Sequence, residues 1–234
     1  MERPVYRARV ERILEHCSDT RSLFLRTLSE PLPSYTPGMF VSVTIPLANE
    51  VRTRPYTIAS SPEDGEPFEL VFNIVPNGPG AAWMFYRKVG DILDFTGPFG
   101  AFTLGRAPDQ PTVFIAEGTA IAPIRPMLRR VLSQAPAGRI DLLYAAPDQD
   151  HLLYRTELES LANANAGFGF EPLIIEQKLL EERMLAFVQS RWIVADENRS
   201  RHFYICGIGQ AVLKLRDLLR AAGYERRAVH YEKW

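Results

Sequence analysis

Six short stretches of this 234-residue chain carry residue types that suit a flat, phosphate-bearing ligand. In Arg54-Pro-Tyr-Thr-Ile-Ala-Ser-Ser61, a strand turns Arg54, Tyr56 and Ile58 to one side and Pro55, Thr57 and Ala59 to the other. A guanidinium pairs with a pyrophosphate, a phenol ring covers a flat heteroaromatic, and a hydroxyl bonds a ring nitrogen, chemistry that suits FAD. Taken alone, the segment is better read as an edge strand with a surface arginine and a half-buried tyrosine. Asn77-Gly-Pro-Gly-Ala-Ala-Trp-Met84 is a glycine-rich turn entering a short helix, whose free amides and dipole can receive a phosphate, although most such turns are only turns. Gly97-Pro-Phe-Gly100 is as well explained as a tight loop.

The other three stretches lie later in the chain. Phe114-Ile-Ala-Glu-Gly-Thr-Ala-Ile-Ala-Pro-Ile-Arg-Pro-Met127 reads as strand, small-residue turn and helix with Pro123 near its first turn, a plausible dinucleotide-phosphate site without the GxGxxG spacing. In Tyr204-Ile-Cys-Gly-Ile-Gly209 a strand ends at Cys206, followed by Gly207 and Gly209, at the carboxyl edge where open α/β sheets bind ligands. A lone buried cysteine is more often inert packing. His230-Tyr-Glu-Lys-Trp234 is a strand closing on a tryptophan, a ring expected to pack on something.

The elements that position these residues change period along the chain. Tyr6, Ala8 and Val10 alternate with Arg7, Arg9 and Glu11, and apolar runs follow at 22–28, 39–45, 54–59, 68–75 and 91–95. Six strands with Pro- and Gly-rich breaks predict a small antiparallel β-barrel, interrupted by a short helix over 81–88. After Gly105, runs at 112–116, 140–144, 171–175, 203–206 and 228–231 alternate with helical patterns, which predicts a parallel sheet covered by helices. The clearest helix is 210–222, with Val212, Leu215 and Leu219 in its apolar stripe and Gly223 as its cap. Two domains are expected, 1–106 and 107–234.

Composition agrees with a folded globular chain: 46% hydrophobic, 24% charged and 11% aromatic residues. A net charge of -1 provides no global field for nucleic acid. Only Cys17 and Cys206 occur, so the chain cannot build a four-cysteine cluster or metal centre, and no metal is expected. The N-terminus lacks the apolar core of a signal peptide and no run reaches membrane-spanning length, so a cytoplasmic protein without membrane insertion is expected.

The order of the six stretches resembles the ferredoxin-NADP reductase family, over a span from about Thr36 to Trp234. RPYTIASS is similar to that family's flavin motif, Arg-x-Tyr-Ser/Thr-x-x-Ser. The resemblance implies that Arg54, beside Pro55, contacts the FAD pyrophosphate, Tyr56 covers one face of the isoalloxazine and Thr57 bonds near flavin N5. Asn77, Gly78, Gly80, Ala81 and Ala82 resemble its second flavin-phosphate turn, and Pro37-Gly38-Met-Phe-Val and Gly97-Pro-Phe-Gly100 further barrel signatures. Gly118, Thr119, Ala120 and Pro123 resemble its nucleotide-pyrophosphate turn, usually written GGTGIAP. Cys206 and Gly207 then face the nicotinamide, while Glu232 assists at the active site and Trp234 stacks on the flavin's other face. Thr57, Cys206, Glu232 and Trp234 are thereby the expected catalytic group.

The resemblance implies an FAD-dependent enzyme that moves electrons between NADPH or NADH and a separate carrier, most simply ferredoxin or flavodoxin. Three departures qualify it. Glu117 and Ala120 stand where the nucleotide turn usually has glycine, and Ala81 where the flavin turn often has serine. A carboxylate facing a pyrophosphate repels it, so either Glu117 points away or the nucleotide binds more weakly. Leu173-Ile-Ile-Glu176 lacks the Ser-Arg that NADP-dependent relatives often carry, with Arg155 or Arg183 as substitutes, which leaves the nucleotide open. The rival readings are an NADH-dependent reductase that feeds an oxygenase or reduces free flavin or ferric complexes, a flavin electron-transfer subunit of a larger complex, and a two-domain protein with no redox role.

Overall fold

The structure is a computed structural model that describes residues 4–75 and 78–234. It divides into two compact units, one of Met1–Gly105 with Arg125–Met127 and the other of Arg106–Ile124 with Leu128–Trp234.

The first unit is a six-stranded antiparallel sheet in the order β4-β3-β6-β1-β2-β5, built from β1 (Tyr6–Glu15), β2 (Thr20–Thr27), β3 (Phe40–Leu47), β4 (Glu50–Thr57), β5 (Phe68–Asn73) and β6 (Ile92–Phe99). An antiparallel bridge from Ile58 to Leu70 links the two ends of that order, and the sheet closes on itself as a barrel. Alternation decides which side chains enter: Ala8 and Val10, Leu23 and Leu25, and Val41, Val43 and Ile45 are all buried around Phe68 and Phe95. A short helix, α1 (Pro79–Phe85), packs Met84 and Phe85 onto that core.

β4 is longer than the apolar run predicts. It pairs with β3 from Leu47↔Glu50, across the two-residue turn Ala48-Asn49, to Phe40↔Thr57. Glu50 to Pro55 are all exposed, so register rather than hydrophobicity makes them strand. Pro55, which cannot donate to a ladder, is tolerated because β4 ends the strand order.

The second unit is a parallel sheet in the order β11-β10-β7-β8-β9, from β7 (Thr112–Glu117), β8 (Ile140–Ala146), β9 (Phe168–Ile174), β10 (His202–Gly207) and β11 (Val229–Lys233). Every residue of β7 and β8 is buried, as expected for strands covered on both faces. The helices are α2 (Ile121–Ser133), α3 (Arg155–Ala164), α4 (Gln177–Val188) and α5 (Ala211–Ala221). α4 and α5 lay Leu180, Met184, Val212, Leu215 and Leu219 on Val113, Ile115, Phe203 and Ile205. After β7 the chain crosses to β8 on one side, and β10 returns on the other, which puts the topological switch point between β7 and β10. No helix among the described residues is long and apolar enough to cross a membrane.

Candidate functional site

In the barrel, the two flavin-like stretches come together in space. Arg54 is exposed, and its Nη1 donates to its neighbour's carbonyl, Thr53 O, at 2.9 Å. Its stem runs beside α1: a β-carbon at Gly80 would lie 3.7 Å from Arg54 Cγ and 3.3 Å from Ile45 Cδ1, so a glycine lets the helix start come this close to the guanidinium. At that start, Pro79 has no amide, the Gly78 amide is committed to Val75 O (3.0 Å) and the Ala82 amide to Gly78 O (2.9 Å). The amides of Gly80 and Ala81 lie in the first turn, next to the Arg54 charge. Asn77 lies outside the described residues.

Tyr56 and Thr57 continue the same strand toward the core. The Tyr56 ring meets Phe72 edge-on at 5.4 Å, and burial pushes its hydroxyl up to about 12 against a smaller downward pull from Arg54, so it stays protonated. Thr57 is buried, and its hydroxyl makes no hydrogen bond among the described residues. A threonine hydroxyl with no hydrogen bond among the described residues, a half-buried aromatic ring, an exposed guanidinium and the first-turn amides of α1 form a donor set that fits a flavin with a pyrophosphate tail.

In the α/β unit, Gly118 follows β7 with a φ of +54° and nothing within 4 Å of where a side chain would start. Only glycine adopts that backbone without cost, and the space above it is open. Thr119 and Ala120 behind it are buried, and Pro123 lies in the first turn of α2. The turn is pinned by Tyr144 of β8, whose hydroxyl donates to Gly118 O at 3.0 Å, also reaches His151 O at 3.4 Å, and accepts from the Leu153 amide at 3.1 Å. Tyr144 is fully buried, and sequence reading passed over it because nothing local marks a tyrosine inside an apolar run.

Residues from the last two stretches also meet. Cys206 pairs with Ala116 on one side and with Glu232 on the other, and Gly207 pairs with Lys233. The Trp234 amide donates to Gly207 O at 3.0 Å and its Nε1 to Glu232 Oε2 at 3.2 Å. The ring remains 42% exposed instead of packing under its own unit. Burial, with Glu232 adding to it, holds the Cys206 thiol well above its ordinary range, so it is a neutral group, not a nucleophile. Glu232 is also raised by burial, against a smaller effect of the Trp234 hydrogen bond.

Glu117 points neither clear of this edge nor at open solvent. It is 8% exposed, its Oε1 accepts from Gln177 Nε2 at 3.1 Å, and burial raises its carboxyl above the ordinary carboxylate range.

Comparison with known proteins agrees with this two-part construction. Residues 7–104 match the Oxidoreductase FAD-binding domain family and residues 114–214 the Oxidoreductase NAD-binding domain family. The chain is 29% identical over 205 residues to Ferredoxin--NADP reductase B of Sorangium cellulosum, covering 84% of each chain. It is 24% identical to the Toluate 1,2-dioxygenase electron transfer component of Pseudomonas putida, over 98% of this chain and 67% of that one. A solved ferredoxin NADP+ reductase from Neisseria gonorrhoeae, with bound FAD and NADP, shares the fold at a TM-score of 0.82 and 17% identity, over 99% of both chains.

Proposed function

Because the chain belongs to the ferredoxin-NADP reductase-like family of FAD-dependent oxidoreductases, we propose that it exchanges electrons between a nicotinamide dinucleotide and a separate one-electron carrier such as a ferredoxin or flavodoxin. Residues 1–106 form the FAD-binding domain in this reading and residues 107–234 the dinucleotide-binding domain. Bound FAD supplies the chemistry that takes two electrons at once and returns them singly. The chain's own work is binding, alignment and exclusion of water.

Arg54 and the Gly80 and Ala81 amides hold the flavin pyrophosphate, with Asn77, Gly78 and Ala82 completing the turn and Pro55 fixing the strand between Arg54 and Tyr56. The Tyr56 ring covers one flavin face, and the Thr57 hydroxyl donates to the ring edge. Gly118, Thr119 and Ala120, ahead of Pro123, receive the nucleotide pyrophosphate at the start of α2. Cys206 and Gly207 line the nicotinamide subsite, and Glu232 holds Trp234 as a movable shield. The observation that most supports this reading is the approach of Gly80 to Arg54, which joins two separate stretches into one anion-holding cradle.

A second reading, an NADH-dependent reductase feeding an oxygenase, draws on two observations. The Pseudomonas putida relative is named an electron transfer component of a dioxygenase. At the end of β9, exposed Glu176 pairs with Lys178 at 2.7 Å, and a carboxylate there favours ribose hydroxyls over a 2′-phosphate. The visible spectrum of the purified protein, then anaerobic mixing with NADPH and with NADH, tests both. Rapid bleaching by NADPH supports the first reading and preference for NADH the second. A protein that cannot be loaded with FAD refutes both.

A further inference from the structure

Ser60 and Ser61 close the stretch that carries Arg54, Tyr56 and Thr57, and both are buried. Here the chain changes partners. β4 makes its last pair with β3 at Phe40↔Thr57, the Ile58 amide still donates to Met39 O at 3.0 Å, and Ile58 bridges to Leu70 of β5. The next amide, that of Ala59, donates to Glu69 O at 2.8 Å. In a regular antiparallel ladder two such residues exchange both bonds, so the Glu69 amide would return to Ala59 O. It donates to the Ser60 hydroxyl instead, at 3.0 Å. A side chain thus stands in for the backbone at the point where the barrel closes.

Tyr35 completes the arrangement. Its hydroxyl donates to Ser60 O at 3.2 Å and lies 3.3 Å from Ser60 Oγ. A phenol has one proton, and with that proton on the carbonyl the Ser60 hydroxyl is the donor in the second contact. Ser60 Oγ therefore accepts from Glu69 and donates to Tyr35, and both bonds stay within the barrel. Beyond it, the Ser61 amide donates to Asp64 Oδ2 at 3.0 Å. These bonds hold residues 58 to 61 on one side of Thr57, as pairing with β3 holds residues 50 to 57 on the other. Tyr56 and Thr57 lie at the junction of the two.

We propose that Ser60 is a positioning residue: its hydroxyl, fixed by the Glu69 amide and Tyr35, sets where Tyr56 and Thr57 meet the isoalloxazine ring. It acts through the strand and touches no flavin itself. The proposal rests on the reading of the first unit as the FAD-binding domain. Ser60 is three residues from Thr57, and a misplacement of about 1 Å at reacting groups costs up to about 100-fold in rate. Ser60→Ala takes one partner from the Glu69 amide and one from the Tyr35 hydroxyl in a buried place, and the backbone must shift to replace them. β4 retains its pairing with β3, so the barrel persists while the exit of the strand moves.

The test uses the full chain as wild type, Ser60→Ala and Tyr35→Phe, with urea unfolding of the FAD-free protein to establish that each is folded at the assay temperature. Three quantities are then read: the FAD dissociation constant, the maximal rate at which NADPH or NADH bleaches the FAD-saturated protein, and the nucleotide concentration that gives half that rate. The expected result for Ser60→Ala is an FAD dissociation constant raised about tenfold, a maximal rate lowered about tenfold, and a half-saturating nucleotide concentration within about twofold of the wild type. Tyr35→Phe retains the bond from Glu69 and should move the first two quantities in the same directions by about threefold. A change in either flavin quantity in the folded protein supports the proposal. A purely structural role lowers the urea midpoint and leaves both flavin quantities unaltered, and that outcome overturns it, as does an effect confined to the nucleotide concentration. If Ser60→Ala does not fold, the same outcomes are read from Tyr35→Phe. A wild type that binds no FAD refutes the reading of the first unit together with the proposal, whereas a wild type that binds FAD and is matched by its folded variants refutes the proposal alone.

Discussion

Arg54 offers the sharpest separation of fold from function. Its side chain is exposed, with one hydrogen bond to an adjacent carbonyl, at 2.9 Å. Replacing it with alanine removes nothing from the barrel core, so unfolding free energy should change by no more than about 0.5 kcal/mol, as at most surface sites. If it holds the flavin pyrophosphate, the loss is that of a charge-assisted hydrogen bond, about 1.5–3 kcal/mol, or about 10- to 150-fold in the FAD dissociation constant. Exposure screens the pair and places the expectation in the lower half of that range. The assay is the rise of free-flavin fluorescence on serial dilution, with urea unfolding of the same samples beside it. Arg54→Lys retains the charge and loses the fork, and should fall between the two. Unchanged flavin retention in Arg54→Ala would refute the assignment, and a loss of flavin matched by an equal loss of fold stability would reduce it to a structural effect.

Other outcomes follow from the same geometry. Trp234→Ala should leave stability within about 0.5 kcal/mol, since its ring makes one side-chain hydrogen bond, to Glu232, and should tighten nucleotide binding if the ring shields the flavin; unaltered binding would remove that role. Gly118→Ala should cost about 1–2 kcal/mol from its φ of +54° alone, read by urea unfolding, because the space around it contains nothing to strike. Tyr144→Phe leaves Gly118 O and the Leu153 amide short of a partner and should cost about 1–3 kcal/mol, with weaker nucleotide binding on titration. Tyr56 has its pKa raised in the folded state to about 12. The folded protein thus holds that proton more tightly, and its contribution to stability is present below pH 10 and lost as pH rises from about 10 to 12. In Tyr56→Phe that part of the alkaline fall should disappear from the unfolding midpoint.

How far the sequence reveals these features depends on how many elements each one needs. β1 and β3 are legible because alternation writes their inner face directly into Ala8 and Val10, and Val41, Val43 and Ile45. The first six residues of β4 are not, since Glu50 to Pro55 bury nothing and become strand only by pairing with β3. β9 begins at Phe168, earlier than the run from Glu171 suggests, because Gly169 and Pro172 break the apolar pattern on a strand that ends the sheet.

The candidate site divides in the same way. Stretches that are continuous, such as Arg54 to Thr57 or Gly118 to Pro123, can be recognised by their letters, since one strand or one turn positions the whole group. Tyr144 acts on a carbonyl 26 residues earlier, and Gln177 on a carboxylate 60 residues earlier, so neither carries a local mark. Glu117 shows what this costs a sequence reading. By its letter it is a charge in a phosphate turn, which must either turn away or weaken binding. In the fold it is buried at the end of β7, where the Gln177 carboxamide donates to it and its Oε2 lies beside Gly207. Whether a departure from a family's pattern abolishes a site or tunes it is settled by the donors that other elements bring, and those donors are fixed by strand order, not by neighbours in the chain.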